Sequence, residues 1–201
     1  MSSFENDIRE QMLRGEGLPP RLDINLIKYL WDASPLAIGK SDNIHGFLSN
    51  VPLFNHFTDY ELRIFSRYLH RRNFYPKETV FRQGDTGYGF YFILQGSIDI
   101  MTEILDGEDV QFHHVINLKR YQYFGEMGLL EEFNTRNASA VSSEETVLLG
   151  VFKPDLEELL DQHPVVGAKF LREVSLILAA RVSDLVREIM SLKKKMNPQG
   201  R

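Results

Sequence analysis

The densest chemistry in the sequence lies in one stretch: Phe124-Gly125-Glu126-Met127-Gly128-Leu129-Leu130, then Thr135-Arg136-Asn137-Ala138-Ser139. Gly125 has no Cβ, so a ligand can approach the main chain closely there. Residues 126–129 are expected to open a short helix whose free N–H groups and positive dipole end favour an anion. Arg136 adds a permanent cation with a fork of donors suited to phosphate oxygens. Glu126, acceptor-only when ionised, repels phosphate but can accept a hydrogen bond from a sugar hydroxyl. A carboxylate, an arginine and a glycine-opened helix start together describe a nucleotide pocket. The bland alternative is a structural Glu126–Arg136 ion pair beside a buried turn, which is worth little at a surface.

The elements that must position these residues change character along the chain. Phe4 to Leu13 suits a helix broken by Gly15-Glu16-Gly17-Leu18-Pro19-Pro20. Leu22, Leu26, Ile27, Leu30 and Trp31 then recur at helical spacing before Ser34-Pro35. Residues 46–71 are expected to be helical again, with Thr58-Asp59-Tyr60-Glu61 as a capping-box start. From about residue 72, short apolar runs alternate with turn residues: Thr79-Val80-Phe81, Phe90 to Leu94, Ser97 to Met101, Val110 to Ile116 and Thr146 to Phe152. Such spacing indicates a β-sandwich or jelly roll. A short helix over Asp155 to Leu160 is followed by a long one from about Val165 to Lys194. In the long helix, Leu171, Val174, Leu178, Val182, Leu185, Ile189 and Leu192 form a coiled-coil-like seam.

Composition removes whole classes of function. The 201 residues contain no Cys, which excludes disulfides, cysteine zinc sites, iron–sulfur clusters and thiol nucleophiles. A formal net charge of −5, without a concentrated basic face, argues against a nucleic-acid-binding domain. The N-terminus lacks a signal-peptide pattern, and no window nears the roughly 18 apolar residues that span a bilayer, so a cytoplasmic protein is expected. A metal-dependent enzyme of the cupin type needs several histidines converging with a carboxylate. The candidates, His113 and His114, are neighbours on a strand and face opposite ways. Neither a metal nor catalysis is expected.

The stretch Phe124-Gly125-Glu126-Met127-Gly128-Leu129-Leu130 with Arg136-Asn137-Ala138-Ser139 resembles the phosphate-binding cassette of cyclic nucleotide-binding domains. The flanks are similar too: Val51-Pro52-Leu53-Phe54 to the family's leading helices, and Gly84-Asp85, Phe90-Tyr91-Phe92-Ile93 and Gly96 to its early strands. The resemblance covers about residues 46–192. It implies a mainly β fold with flanking α, a double-stranded β-helix (jelly roll) with N-terminal helices and a long C-terminal helix. It implies an N-terminal extension over 1–45, a barrel with its flanking helices over 46–164, and a lid or dimerisation helix over 165–201.

By position the resemblance gives the contacts to the sugar 2′-hydroxyl and cyclic phosphate to Gly125, Glu126 and Arg136. Met127, Gly128, Asn137 and Ala138 add contacts, and Arg181 matches a helix partner of the pocket glutamate. The implied ligand is cAMP or cGMP, with cAMP favoured by likeness to bacterial activators; Asn137, where the family commonly has Ala, Ser or Thr, does not choose between the bases. Only residues 193–201 follow the long helix, too few for a helix-turn-helix. Output is therefore expected through a homodimer of the long helix, an effector protein or the N-terminal region. A module of the same fold that has lost its ligand is the alternative.

Overall fold

The computed structural model describes residues 43–106, 109–130 and 135–196. The helices expected over residues 4–13 and 22–31 lie outside the described residues. The chain enters through helix α1 (Ile44–Leu48), a 3-10 turn (Pro52–Phe54), α2 (Asp59–Phe65) and a second 3-10 turn (Ser66–Tyr68). Eight strands follow: β1 (His70–Phe74), β2 (Thr79–Phe81), β3 (Gly89–Gln95), β4 (Ser97–Asp106), β5 (Asp109–Lys119), β6 (Tyr123–Phe124), β7 (Ser139–Ser142) and β8 (Thr146–Phe152). Helix α3 (Met127–Leu130) sits between β6 and β7, and α4 (Lys153–Gln162) and α5 (Pro164–Met196) close the described chain.

The strands form two antiparallel four-stranded sheets, ordered β1-β8-β3-β6 and β2-β7-β4-β5. The jelly-roll architecture with flanking helices is thus the one the strand spacing implies. The first sheet is covered on both faces. Phe90, Phe92, Leu94, Val147, Leu149 and Val151 point to the helices, while Tyr91, Ile93, Leu148 and Phe152 point between the sheets to meet Ile98, Leu118 and Ala140. A strand buried on both faces needs no polar alternation, which explains the unbroken run Phe90-Tyr91-Phe92-Ile93-Leu94.

Strand β1 begins at His70, inside the stretch expected to be helical. Its sequence, His-Arg-Arg-Asn-Phe, carries little apolar signal because β1 is an edge strand. The Arg72 guanidinium lies 4.6 Å over the Phe74 ring and bonds Glu78 at 3.0 Å, so aliphatic stems substitute for apolar side chains.

The capping box at Thr58 forms in both directions: Glu61 N–H donates to Thr58 Oγ1 at 3.3 Å, and Thr58 N–H donates to Glu61 Oε2 at 2.7 Å. Lys169 of α5 donates to the same carboxylate at 2.7 Å, tying α2 to α5. Burial pushes the Glu61 carboxyl up, but the bonds from Lys169 and Thr58 outweigh it and hold the group below the usual carboxylate range. A depressed carboxyl stabilises the fold above its unfolded pKa, and that contribution disappears as pH falls through the folded value. Glu61→Gln is therefore expected to cost about 1 kcal/mol at neutral pH. The gap in Tm from wild type should close in acid. A gap that does not depend on pH in thermal melts would contradict the assignment.

The long helix is divided by its environment. Val166, Phe170 and Val174 are buried against the first sheet and leading helices, with Leu171 and Leu178 packed partly against them. Beyond them Val182, Leu185, Ile189 and Leu192 are exposed. Among the described residues no helix is long and apolar enough to cross a membrane.

Candidate functional site

The site is built where β6 runs into α3. Phe124 anchors the end of β6 in the inter-sheet core, its ring 5.3 Å from Tyr91 and 5.8 Å from Phe81. The chain then turns at Gly125 with φ +83°, a left-handed conformation that disfavours any residue with a Cβ. A Cβ there would also meet Arg136 Nη1 at 2.8 Å, so glycine is required twice over. At Gly128 the corresponding distance to Arg136 Nη1 is 2.7 Å.

Arg136 is fixed from the opposite side by the loop after β2. Its N–H donates to Asp85 O at 2.7 Å, and its carbonyl accepts from Gly84 N–H at 2.8 Å. The side chain points inward and is 7% exposed. Nη1 donates to Gly125 O at 3.0 Å and Nη2 to Gly89 O at 2.9 Å, while the Phe81 ring lies 4.1 Å below Cζ. Nε is buried and has no hydrogen-bond partner. No carboxylate among the described residues forms an ion pair with this guanidinium. The Tyr91 hydroxyl stands 3.5 Å from Nη2. Burial pushes that phenol up, only partly countered by Arg136, so it stays protonated.

Glu126 is 3% exposed and pairs through Oε1 with Arg181 Nη1 of α5. The structural Glu126–Arg136 pair is therefore not what forms: the two point to different partners, and Arg181 is the counter-ion of the buried carboxylate. Tyr123 stands beside this pair, and burial raises its phenol against the pull of Arg181. Met127 and Asn137 meet at the rim, where Asn137 Nδ2 approaches Met127 Sδ at 3.7 Å. Ala138 is half-buried after Asn137 at the entry to β7.

One expectation needs correction. The amides of residues 126–129 do not all remain free: Gly128 N–H donates to Gly125 O and Leu129 N–H to Glu126 O, both at 3.1 Å. The short helix expected here forms as a four-residue turn, Met127–Leu130, and these bonds take up two of the amides at its start. Leu130, next to the buried Leu129, is 41% exposed. Gly87, Gly89, Tyr91 and Phe81, which cradle the guanidinium, were not singled out as site residues. His114, a candidate ligand in the metal reading, bonds Asp99 at 3.0 Å on the outer face, and the described residues contain no cluster suited to a metal.

The sequence profile of the cyclic nucleotide-binding domain matches residues 71–163. The Cyclic AMP receptor protein of Thermus thermophilus is 30% identical over 152 residues, covering 75% of this chain and 67% of that protein. The chain belongs to the cyclic nucleotide-binding domain family. A cAMP-dependent protein kinase regulatory subunit of Dictyostelium discoideum is 35% identical over 86 residues, 43% of this chain and 26% of that subunit. The crystal structure of the Thermus thermophilus Catabolite Activator Protein superposes with a TM-score of 0.63 at 30% identity, covering 71% of this chain and 63% of that one. The chain thus spans under two thirds of the solved activator and about a quarter of the kinase subunit. Within the family's domain, the matched segment contains the whole Gly125–Arg136 arrangement.

Proposed function

We propose that the chain is a regulatory module that binds a cyclic mononucleotide, cAMP in preference to cGMP, and performs no catalysis. The observation that carries this reading is the buried Arg136 guanidinium, which has an unpartnered Nε–H and no carboxylate beside it among the described residues. A buried cation without a counter-ion is costly, and an entering phosphodiester supplies both the charge and the missing acceptor. Glu126 then accepts from the sugar 2′-hydroxyl, with Gly125, Met127, Gly128, Asn137 and Ala138 shaping the wall. The cAMP preference rests on likeness to the receptor protein.

Arg181 makes the pocket a reporter. It reaches Glu126 from α5, so a sugar that engages Glu126 competes for or reorganises that contact and biases the position of the helix. Calorimetric titration of the purified chain with cAMP and cGMP, with hydrogen exchange over residues 165–192, tests the reading. Saturable one-to-one binding with altered exchange is expected; absence of binding to either nucleotide would overturn it. The Glu126–Arg181 pair also favours a second reading, a module that has filled its sugar position with its own arginine. That module would give no heat in the same titration.

The proposed organisation has an extension over residues 1–45, a sensor over 46–164 and an output helix over 165–201, working in the cytoplasm with a second copy or an effector protein. The exposed stripe of Val182, Leu185, Ile189 and Leu192 steps by three and four residues, as a helix–helix seam requires. Leu185→Lys combined with Ile189→Lys is expected to convert a dimer into a monomer in sedimentation, leaving the Tm of the barrel unchanged. A wild-type chain that sediments as a monomer would refute this dimer.

A further inference from the structure

A second concavity shares none of the residues of the Arg136 site. Between the start of α1 and the β3–β4 turn runs a groove of about 450 Å³, lined by Asn43, Phe47, Leu94, Gln95 and Arg120 among others. Phe47 and Leu94 are buried and give it an apolar floor, whereas Asn43, Gln95 and Arg120 are exposed at its mouth. The turn that carries Arg120 is strained and firmly held. Tyr121 has φ +71°, a left-handed value costly for a bulky side chain. Its N–H donates to Ile93 O, Gln122 N–H to Lys119 O and Ile93 N–H to Gln122 O, each at 3.0 Å. The Gln122 side chain closes the same turn by accepting from Lys119 N–H at 2.7 Å. Glycine or asparagine would reverse the chain here without that cost. Strain held in place by its surroundings clusters at ligand-binding sites.

What the strained turn delivers is a stack. The Tyr121 ring packs on Phe47, centroids 5.3 Å apart and planes 17° from parallel, and the Arg120 guanidinium lies 4.7 Å from the Tyr121 centroid. Perched there, Arg120 pairs with no carboxylate among the described residues, so its fork of donors stays open. We propose that this groove binds a small aromatic carboxylate, its ring on Phe47 and Leu94 and its carboxylate on Arg120. A guanidinium matches a carboxylate through two parallel N–H···O bonds, and stacking on tyrosine restrains its plane beforehand. The amides of Asn43 and Gln95 add donors at the mouth. An inorganic anion would use the cation but leave the apolar floor in water, and a neutral hydrocarbon would do the reverse. The volume lies within the range of about 300–1,000 Å³ usual for small-molecule pockets, which combine an apolar lining with a few polar groups.

The probe is 2-naphthoate, titrated calorimetrically into the full chain, with its neutral isostere 2-naphthamide in parallel. Saturable one-to-one binding of the naphthoate is expected. Affinity should fall about tenfold or more for the amide, and for naphthoate with Arg120→Gln, because each loses the charge-assisted pair. Tyr121→Asn tolerates the positive φ but lacks the ring, so it should weaken naphthoate binding by a similar factor while cooperative melting persists. Naphthoate that fails to bind, binds no better than the amide, or is indifferent to Arg120→Gln or Tyr121→Asn would each overturn the proposal. Affinity lost in Arg136→Ala as fully as in Arg120→Gln would place the anion in the phosphate site and overturn it as well.

Discussion

Arg136→Ala is expected to lower cyclic nucleotide affinity by a factor on the order of one hundred or more. Hydrogen bonds to a charged partner are worth about 1.5–3 kcal/mol each, and losing two removes roughly 3 kcal/mol or more of binding. The loss should be this large because Arg181, the other arginine at the site, is already engaged by Glu126. The effect on folding differs in origin. Truncation strands the carbonyls of Gly125 and Gly89, which now accept from Nη1 and Nη2, but also removes a buried charge with an unsatisfied Nε–H. These opposing terms leave the ligand-free Tm only modestly changed, while the rise in Tm on adding ligand disappears. Arg136→Lys keeps a point charge but not the planar fork, so it should fall between the two. A folded Arg136→Ala chain with wild-type affinity in calorimetric titration would disprove the phosphate assignment.

Phe170→Ala is expected to destabilise the protein by about 3–5 kcal/mol. Phe170 is fully buried where α5 meets the barrel, with its ring centroid 4.7 Å from Phe65, 6.0 Å from Phe90 and 6.3 Å from Phe54. Removing the ring opens a cavity bordered by three other phenylalanines, whose rigid rings cannot collapse to fill it. Urea unfolding should show a lower midpoint with an unchanged m-value. A cost below about 1 kcal/mol would mean that α5 does not dock on the first sheet in solution. The substitution also separates the two anchors of the helix, since Phe170 holds the first half and Arg181 alone reaches the pocket from beyond it.

Much of this arrangement was legible beforehand, for reasons that differ by element. β8 was legible at both ends because Thr146 to Phe152 is a continuous apolar run bounded by polar turns. The start of α2 was legible because a capping box is a local rule, and Thr58 and Glu61 obey it without help from distant residues. β1 was hidden because an edge strand covers its inner face with arginine stems. β7, Ser-Ala-Val-Ser, was hidden because its serines serve neighbouring loops: Ser139 Oγ accepts from Gln83 N–H and Ser142 Oγ from Glu78 N–H. At the site, Gly125, Glu126 and Arg136 announced themselves by type and spacing. The surroundings of Arg136 did not, because Gly89 contributes through its carbonyl and Phe81 through its ring face, and neither role has a local sequence mark. The partnership of Glu126 with Arg181 spans 55 residues and was reached through the family's pattern, since periodicity alone places Arg181 only on a helix.

For the proposed sensor, the near-complete burial of Glu126 has a consequence for background signalling. If Arg181 lets go and nothing replaces it, a carboxylate is left in the interior without a countercharge, at a cost of about 3 kcal/mol or more. At equilibrium fewer than about one molecule in a hundred would then be found with that latch undone. The sensor proposed above would on this account have little leak: its idle state would be quiet because the error itself is expensive, even though half of the Arg181 side chain is bathed in water.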